Sequence, residues 1–313
     1  MNILITRHDK IGDFITTLPL FYVIKKTYPN AKIFALVSNI NFELAEQIDF
    51  IDKVILYDRN HFWQTLKVIK NANIEVSISA FIDTQLGWLL FLSRIKTRIA
   101  PATKIAQLFF NKTRKQKRSK VEKTEFEYNL DLAKLLNKNI SLEFKKPLLT
   151  LPNNTKFREQ HQIDQGKKIV LLHPGYGGSS DGNLSLKDYL SLAKIIRSKD
   201  NTQIVWTFGP DDLSTKNQLQ SKINKKDIIH QPKTLLDFCN LINNSLLIIS
   251  TSTGPMHLAG ALNIQTISFF GDNLFASPKR WATINNLSRQ HNFTVDKYFK
   301  LADVKQLVTE ILC

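Results

Sequence analysis

The feature that most constrains the fold is an alternation of short apolar runs with longer helical segments, which occurs twice along the chain. In the first half the strand candidates are residues 3–6, 33–37, 53–56 and 75–79, and the helical candidates are residues 14–28, 41–47, 62–69, 86–92 and 125–136. In the second half the strand candidates are residues 168–172, 202–208, 227–230, 246–250 and 266–270, and the helical candidates are residues 185–198, 212–223, 234–243, 255–262 and 301–312. Strands separated by helices of this length predict parallel sheets covered by helices on both faces.

A segment rich in Pro and Asn, residues 144–154, separates the two series and reads as a linker. A chain of 313 residues is long enough for two α/β units of roughly 150 residues each. The sequence therefore predicts two Rossmann-like domains, residues 1–150 and residues 151–313, which face a central cleft. In open parallel sheets ligands bind beyond the carboxyl ends of the strands, so the turns that follow strands are the candidate sites.

Composition restricts the setting in which the chain works. No run approaches the roughly 20 apolar residues that cross a bilayer, and no basic region precedes the apolar N-terminal residues. The two cysteines, Cys239 and Cys313, lack disulfide or metal-ligand spacing, which favours a reducing environment. We therefore expect a cytoplasmic protein that acts as a monomer and holds no metal.

The charge balance is unusual. Forty-three Lys and Arg residues against 27 Asp and Glu residues give a net charge of +16, which favours a polyanionic partner. A Lys-rich, AT-biased genome is the alternative explanation, because most lysines are spread along the chain. One cluster, residues 112–123, follows the apolar pair Phe109 and Phe110 and holds seven basic residues: Lys112, Arg114, Lys115, Lys117, Arg118, Lys120 and Lys123.

The turn after the first strand carries two carboxylates, Asp9 and Asp13, and two cations, Arg7 and Lys10. Its single glycine, Gly12, excludes the three-glycine dinucleotide fingerprint. An ionised Asp13 at the start of a helix can accept a proton from a hydroxyl nucleophile. The alternative is that Asp13 only caps the helix.

Two turns in the second half suit an anion. His173 and Pro174 lead into a loop with Gly175, Gly177, Gly178 and Ser179, whose backbone N–H groups can approach a phosphate closely, although such a loop is often a plain turn. After residues 246–250 come Ser252, Thr253, Gly254, Pro255, Met256 and His257, which predict a helix N-terminus open to a diphosphate. His257 either reaches a phosphate or makes an ordinary core contact.

Together these turns resemble glycosyltransferase family 9, the lipopolysaccharide heptosyltransferase family. The resemblance lies in Arg7, Asp9, Ile11, Gly12, Asp13, Thr17 and Pro19, in residues 173–179, in residues 252–262, and in the pair Arg280 and Trp281. These motifs occur in the same order over most of the chain.

The resemblance implies a GT-B fold and an inverting transfer without a metal or another cofactor. Asp13 matches the acidic residue proposed as the base in the family. The donor, by default ADP-heptose, is then expected on the second domain, where the two anion-binding turns hold its diphosphate. The acceptor is expected to be an acidic inner-core glycolipid of lipopolysaccharide at the inner face of the cytoplasmic membrane, bound by Arg7, Asp9, Asp83, Arg114 and Arg118.

Two departures from the family pattern affect the donor. Gly182 and Leu184 stand where heptosyltransferases commonly have a basic residue and a Trp, so the cation that neutralises the diphosphate must come from elsewhere, and Lys187 and Arg280 are candidates. Ser252 stands where better-characterised members have an Asp that contacts the sugar. Another nucleotide hexose or heptose is therefore an alternative donor.

Three other functions compete with this prediction. A nucleotide-sugar epimerase or dehydrogenase needs the missing glycine fingerprint. A nucleic-acid-binding protein could use residues 112–123, but no nucleic-acid-binding motif is present, so we expect no nucleic-acid partner. A catalytically silent glycan-binding relative would have no reason to keep Asp13.

Overall fold

The computed structural model describes residues 1–175 and 182–313, which form two compact units, Met1–Thr150 and Leu151–Cys313. The division falls inside residues 144–154, the segment that reads as a linker. Each unit has its own parallel sheet and its own apolar core.

The first unit contains a six-stranded sheet in the order β3-β2-β1-β4-β5-β6, in which all paired strands are parallel. Its strands are β1 (Asn2–Arg7), β2 (Lys32–Val37), β3 (Lys53–Leu56), β4 (Val76–Ser79), β5 (Thr97–Pro101) and β6 (Lys112–Arg114). Its helices are α1 (Ile11–Ile15), α2 (Leu18–Thr27), α3 (Asn39–Ala45), α4 (Phe62–Asn71), α5 (Thr84–Leu92), α6 (Glu125–Leu130) and α7 (Ala133–Leu136).

The second unit contains a parallel sheet in the order β12-β11-β10-β7-β8-β9. Its strands are β7 (Lys168–His173), β8 (Thr202–Thr207), β9 (Ile228–His230), β10 (Leu247–Thr251), β11 (Gln265–Phe270) and β12 (Gln290–Thr294). Its helices are α8 (Lys156–Gln160), α9 (Leu186–Arg197), α10 (Leu213–Gln220), α11 (Leu235–Asn243), α12 (Gly254–Ala261), α13 (Pro278–Trp281) and α14 (Leu301–Leu312). Counted within the unit, this is the same strand order as in the first sheet, and both match the Rossmann order.

The central strands are buried on both faces, and for this reason they read as continuous apolar runs rather than alternating ones. In the first unit Leu4, Leu36 and Leu89 belong to one core on the sheet. In the second unit Trp206 and Val308 belong to another, with α14 packed beside α9. Full burial of one such aliphatic side chain contributes about 1.5–3 kcal/mol.

The prediction of one helix over residues 14–28 is wrong, because the chain forms two helices there, α1 and α2. Pro19 has no N–H to donate within a continuous helix. Its ring also clashes with the carbonyl group of the residue four positions earlier. The hydroxyls of Thr16 and Thr17 instead donate to the carbonyl oxygen of Asp13, each at 2.9 Å. This break places Asp13 within a short separate helix.

Several short elements were not predicted: β5, β6, β12, α8 and α13. The helix expected over residues 125–136 is divided into α6 and α7. Residues 112–123, expected as a loop, begin with β6 at the sheet edge. Short lysine-bearing strands are typical of sheet edges, and their polarity hides them in the sequence.

In both sheets the chain reverses its direction of growth at a central strand pair, β1 with β4 in the first and β7 with β10 in the second. The loops that leave such a pair diverge and open a crevice at the carboxyl edge. All the predicted site turns except residues 112–123 follow one of these four strands. Within the described parts of the chain, none of the helices combines the length and apolarity needed to cross a membrane.

Candidate functional site

A buried arginine organises the carboxyl edge of the first sheet. Arg7, the last residue of β1, is only 2% exposed. Its Nε lies 2.7 Å from Oδ1 of Asp9, its Nη2 contacts a carboxylate oxygen of Asp13, and its Nη1 lies 3.6 Å from Oε1 of Glu125. Three carboxylates therefore share one guanidinium.

Asp13 lies in the first turn of α1, and the residue that caps this helix is Lys10. The interpretation of Asp13 as a helix cap is therefore wrong. Its side chain is 17% exposed, so it combines a largely buried setting with access from outside. This is the combination that a proton acceptor for a bound hydroxyl needs.

Burial is the main cause that raises the pKa of Asp13, to about 6. The Arg7 cation opposes this increase, whereas the negative charges of Asp9 and Glu125 add to it. Burial disfavours the Arg7 cation, but the three carboxylates outweigh burial and raise the pKa of Arg7 above its ordinary value. Asp13 is thus mostly ionised at neutral pH, yet it binds a proton more tightly than an ordinary aspartate.

The sequence analysis missed two members of this cluster, Glu125 and Asn129 on α6. Asn129 Nδ2 donates to the carbonyl oxygen of Thr16 at 3.1 Å and to the hydroxyl of Thr17 at 3.2 Å. Its Oδ1 accepts from Arg7 at 3.4 Å. The capping box that begins at Thr124 predicts the helix from the sequence. The local sequence does not indicate which residues of the helix face Arg7.

Asp83 lies at the neighbouring carboxyl edge, where it caps α5 by accepting a hydrogen bond from the N–H of Leu86 at 2.8 Å. Its Oδ2 lies 2.9 Å from Nε2 of His8 and also accepts from Arg59. Burial favours the neutral acid, but these donors and the Arg59 charge prevail and lower the pKa of Asp83 to about 2. His8 and Arg59 were not predicted as site residues.

Aromatic rings and a cation surround His8. Its ring makes edge contacts with Tyr57 at 4.6 Å and with Phe81 at 5.3 Å between centroids. Lys104 Nζ lies 4.4 Å from the centroid of Phe81. A polar ligand at this edge would therefore meet Arg59 and Lys104 together with an aromatic wall.

The two basic residues predicted for the acceptor from residues 112–123 are placed differently from each other. Arg118 pairs with the buried carboxylate of Glu125 and lies 3.4 Å from Asn129, so it joins the Arg7 cluster. Arg114 ends β6 at the sheet edge, and no ion pair links it to another described residue. The structure therefore brings Arg118, but not Arg114, to the Arg7 cluster.

In the second unit His173 ends β7 with its imidazole buried. Its Nδ1 lies 2.9 Å from the hydroxyl of Thr207, and its Nε2 lies 3.9 Å from Oδ2 of Asp212. Burial lowers the pKa of His173 to about 4, against the opposing charge of Asp212. This neutral imidazole lies at the end of β7, directly before the glycine loop.

The glycines at the two ends of that loop are required by packing. A Cβ on Gly175 would lie 1.9 Å from Oδ2 of Asp212, and a Cβ on Gly182 would lie 1.9 Å from the backbone carbon of Phe270. The predicted site residues Gly177, Gly178 and Ser179 lie outside the described residues.

The third predicted turn forms the start of α12, with Thr253 at the cap and Pro255 in the first turn. Residues 252–255 are partly exposed, whereas the side chains of Met256 and His257 are buried. Any direct contact of this helix start with a ligand would therefore come from its first residues and from backbone N–H groups.

A buried cation is connected to α12 through an aromatic ring. Arg280 is buried on α13, with its guanidinium carbon 3.6 Å from the ring centroid of Phe275 and 4.8 Å from that of Trp281. The Trp281 ring is 6.1 Å from that of His257. Lys187, the other candidate cation, is exposed on α9. Among described residues, no group of three or more His, Cys, Asp or Glu residues is arranged to hold a metal ion.

Two Rossmann-like units with the same strand order, each with polar side chains at its carboxyl edge, make up the GT-B fold. A solved structure from Escherichia coli, the ADP-heptose lps heptosyltransferase II, has the same fold: the TM-score is 0.83, and the match covers 100% of this chain and 98% of that one at 16% identity.

Sequence comparisons agree with the fold. A Haemophilus influenzae protein named "Putative glycosyltransferase" is 36% identical over 307 residues, which cover 93% of this chain and 88% of the relative. Lipooligosaccharide heptosyltransferase 2 of Campylobacter jejuni is 22% identical over 91% of this chain and 86% of its own length. The sequence model of glycosyltransferase family 9 (heptosyltransferase) matches residues 66–307. The chain belongs to this family and is a glycosyltransferase.

Proposed function

We propose that this enzyme transfers a sugar, by default heptose from ADP-heptose, to an acidic inner-core acceptor of lipopolysaccharide, with inversion and without a metal or another cofactor. The observation that carries this proposal is the buried but accessible carboxylate of Asp13, held against Arg7 with a pKa of about 6. A base works best when its pKa lies near the operating pH.

The reaction is a direct displacement. Asp13 accepts the proton of an acceptor hydroxyl, whose oxygen forms a bond to the anomeric carbon of the donor sugar. The bond from that carbon to the diphosphate oxygen breaks on the opposite face, and the nucleoside diphosphate leaves with the electron pair. Arg7 keeps the Asp13 carboxylate oriented, while Asn129 and Glu125 keep Arg7 in place.

The donor is proposed to bind the second unit. Residues 252–255 offer partly exposed hydroxyls and backbone N–H groups at the start of α12, and a helix N-terminus favours a diphosphate. Arg280 is the better candidate for the cation that stabilises the leaving group, because the ring of its neighbour Trp281 packs against that of His257 on α12, whereas Lys187 is an exposed residue of α9. His173 ends β7 directly before the glycine loop.

The acceptor is proposed to bind the first unit. Arg59 and Lys104 provide cations at the edge where Asp83 and His8 lie, and these suit carboxylate or phosphate groups on an inner-core glycan. Such an acceptor is lipid-linked, so we propose that the enzyme works as a monomer at the inner face of the cytoplasmic membrane. Another nucleotide sugar stays an alternative donor because Ser252 replaces an acidic residue.

Replacing Asp13 tests the base. Asp13→Asn should lower kcat by at least about a hundredfold, the usual contribution of general-base catalysis, while nucleotide affinity measured by calorimetry stays unchanged. The matched control is Asp9→Asn, which alters the other aspartate on Arg7 and should cost much less. Near-normal transfer by folded Asp13→Asn protein would refute the assignment, and a panel of nucleotide sugars would identify the donor.

A further inference from the structure

The strongest feature outside the proposed site is a charge asymmetry in the first unit. Residues 84–121 contain ten Lys and Arg residues and no Asp or Glu, so these 38 residues supply +10 of the net charge of +16. The ten are Arg94, Lys96, Arg98, Lys104, Lys112, Arg114, Lys115, Lys117, Arg118 and Lys120. A lysine-rich genome would raise lysine everywhere, but it does not explain a run without a single acid.

The same residues expose large apolar side chains. Ile105 is 78% exposed and Leu108 is 80% exposed, three residues apart on a 3₁₀ helix (Ile105–Phe109), a spacing that places them on one face. Trp88 and Phe91, three apart on α5, are each close to half exposed.

The two apolar pairs belong to one surface. The ring of Phe109 lies 5.0 Å from that of Trp88 and 6.2 Å from that of Phe91, which joins the 3₁₀ helix to α5. Gly87 permits this approach, because a Cβ there would lie 2.5 Å from the Phe109 ring. We call Trp88, Phe91, Ile105 and Leu108 the apolar face.

Cations border the apolar face. The guanidinium of Arg98 lies 5.5 Å from the ring centroid of Phe91, and a shallow pocket beside Phe91 is lined by Lys70, Arg94 and Lys96 as well. After Phe109, the last residue of the 3₁₀ helix, the chain continues with the exposed Lys112 and Lys115. Exposed Trp, Leu and Ile side chains bordered by Lys and Arg are the composition of a protein surface that enters an anionic lipid interface.

We propose that the apolar face docks on an anionic phospholipid bilayer, with its side chains in the interface and the surrounding cations on lipid phosphates. Nucleic acid would match the charge but not four exposed aliphatic and aromatic side chains next to it. The inference rests on the proposed function, because docking on a membrane would bring the enzyme to a lipid-linked acceptor. Its test needs neither donor nor acceptor.

The test is co-sedimentation of the full chain with vesicles of phosphatidylglycerol and phosphatidylethanolamine, and with vesicles of phosphatidylcholine alone. Wild type should bind only the anionic vesicles. The double variant Trp88→Gln with Leu108→Gln should bind them at least about tenfold more weakly, because it removes inserted apolar area. The control removes two other exposed side chains, Leu287→Gln with Tyr298→Gln, and should bind normally.

Charge is tested separately with two triple variants that have the same net charge. Lys112→Gln, Lys115→Gln and Lys117→Gln together should weaken binding at least about tenfold, since each cation near an anionic surface contributes. Lys222→Gln, Lys225→Gln and Lys226→Gln, which remove three exposed lysines of the second unit, should have little effect. In wild type the Trp88 emission should shift to shorter wavelength on binding, and Trp88→Phe should bind but lose that shift.

Three outcomes would overturn the proposal: wild type that ignores anionic vesicles, an apolar-face variant that binds as wild type does, or a wild-type dimer that the Trp88→Gln, Leu108→Gln variant dissociates. Sugar transfer to a delipidated acceptor separates this inference from the proposed function. The apolar-face variant should keep that activity, whereas failure of the proposed function would abolish it in wild type too.

Discussion

At the residue scale, the Arg7 cluster shows how a carboxylate is made basic and still kept ionised. Three acids around one guanidinium leave an excess of negative charge, and burial adds to the cost of ionising Asp13. The Arg7 cation, together with Lys10, opposes this effect and keeps Asp13 ionised at neutral pH. The result is a carboxylate with a pKa near 6 rather than near 4.

This environment predicts the pH dependence of catalysis. Since the base must be deprotonated, kcat/KM should fall as pH decreases through about 6. Glu125→Gln should move this acidic limb to lower pH, because the charge of Glu125 helps to raise the pKa of Asp13. A pH–rate profile measures both effects.

The control is Glu122→Gln, which changes an exposed glutamate just before α6 and should leave the limb in place. A limb that stays near pH 6 in Glu125→Gln would show that the titrating group is not Asp13. Loss of activity without any change of the profile would indicate only a structural role for Glu125.

At the element scale, the glycine loop of the second unit depends on close packing at its end. Gly182 lies against the backbone of Phe270 and Gly271, where β11 ends, and no side chain can move aside to admit a Cβ. Gly182 is thus packed against the sheet edge, a constraint that the sequence does not reveal.

Gly182→Ala should destabilise the protein by about 1–3 kcal/mol, the usual range for overpacking of a core position. The matched change Gly166→Ala, where nothing lies within 4 Å of the added Cβ, should be neutral or stabilise by up to about 1 kcal/mol. Chemical denaturation monitored by tryptophan fluorescence compares the two. Equal stability of both variants would contradict the packing argument.

At the scale of the whole molecule, two buried groups oppose each other in the pH dependence of stability. The pKa of Asp13 is raised on folding, so its contribution is present below pH 3.8 and is lost as pH rises through about 6. The pKa of His173 is lowered on folding, so its contribution is present above pH 6.5 and is lost as pH falls through about 4. Each shift corresponds to about 3 kcal/mol.

Single variants should separate the two opposing dependences of the free energy of unfolding on pH. Asp13→Asn should leave a protein whose free energy of unfolding decreases between pH 6.5 and pH 4, because the His173 contribution is lost there without the opposing Asp13 contribution. His173→Gln should leave one whose free energy of unfolding decreases from pH 4 to pH 6. Urea denaturation at a series of pH values gives these slopes, and parallel curves for both variants and wild type would refute the pKa assignments.

The sequence by itself determined the two parallel α/β units and most central strands, because buried parallel strands read as continuous apolar runs. It also indicated Asp13 and Asp83 as site residues, since functional turns follow strands of the sheet. It did not reveal edge strands such as β6, whose polarity resembles that of a loop. Only the tertiary structure showed Glu125 and Asn129 at Arg7, because contacts across more than 100 residues leave no local pattern. The tertiary structure also showed that Arg118 pairs with the buried Glu125. It further showed that four apolar side chains distant in the sequence form one face.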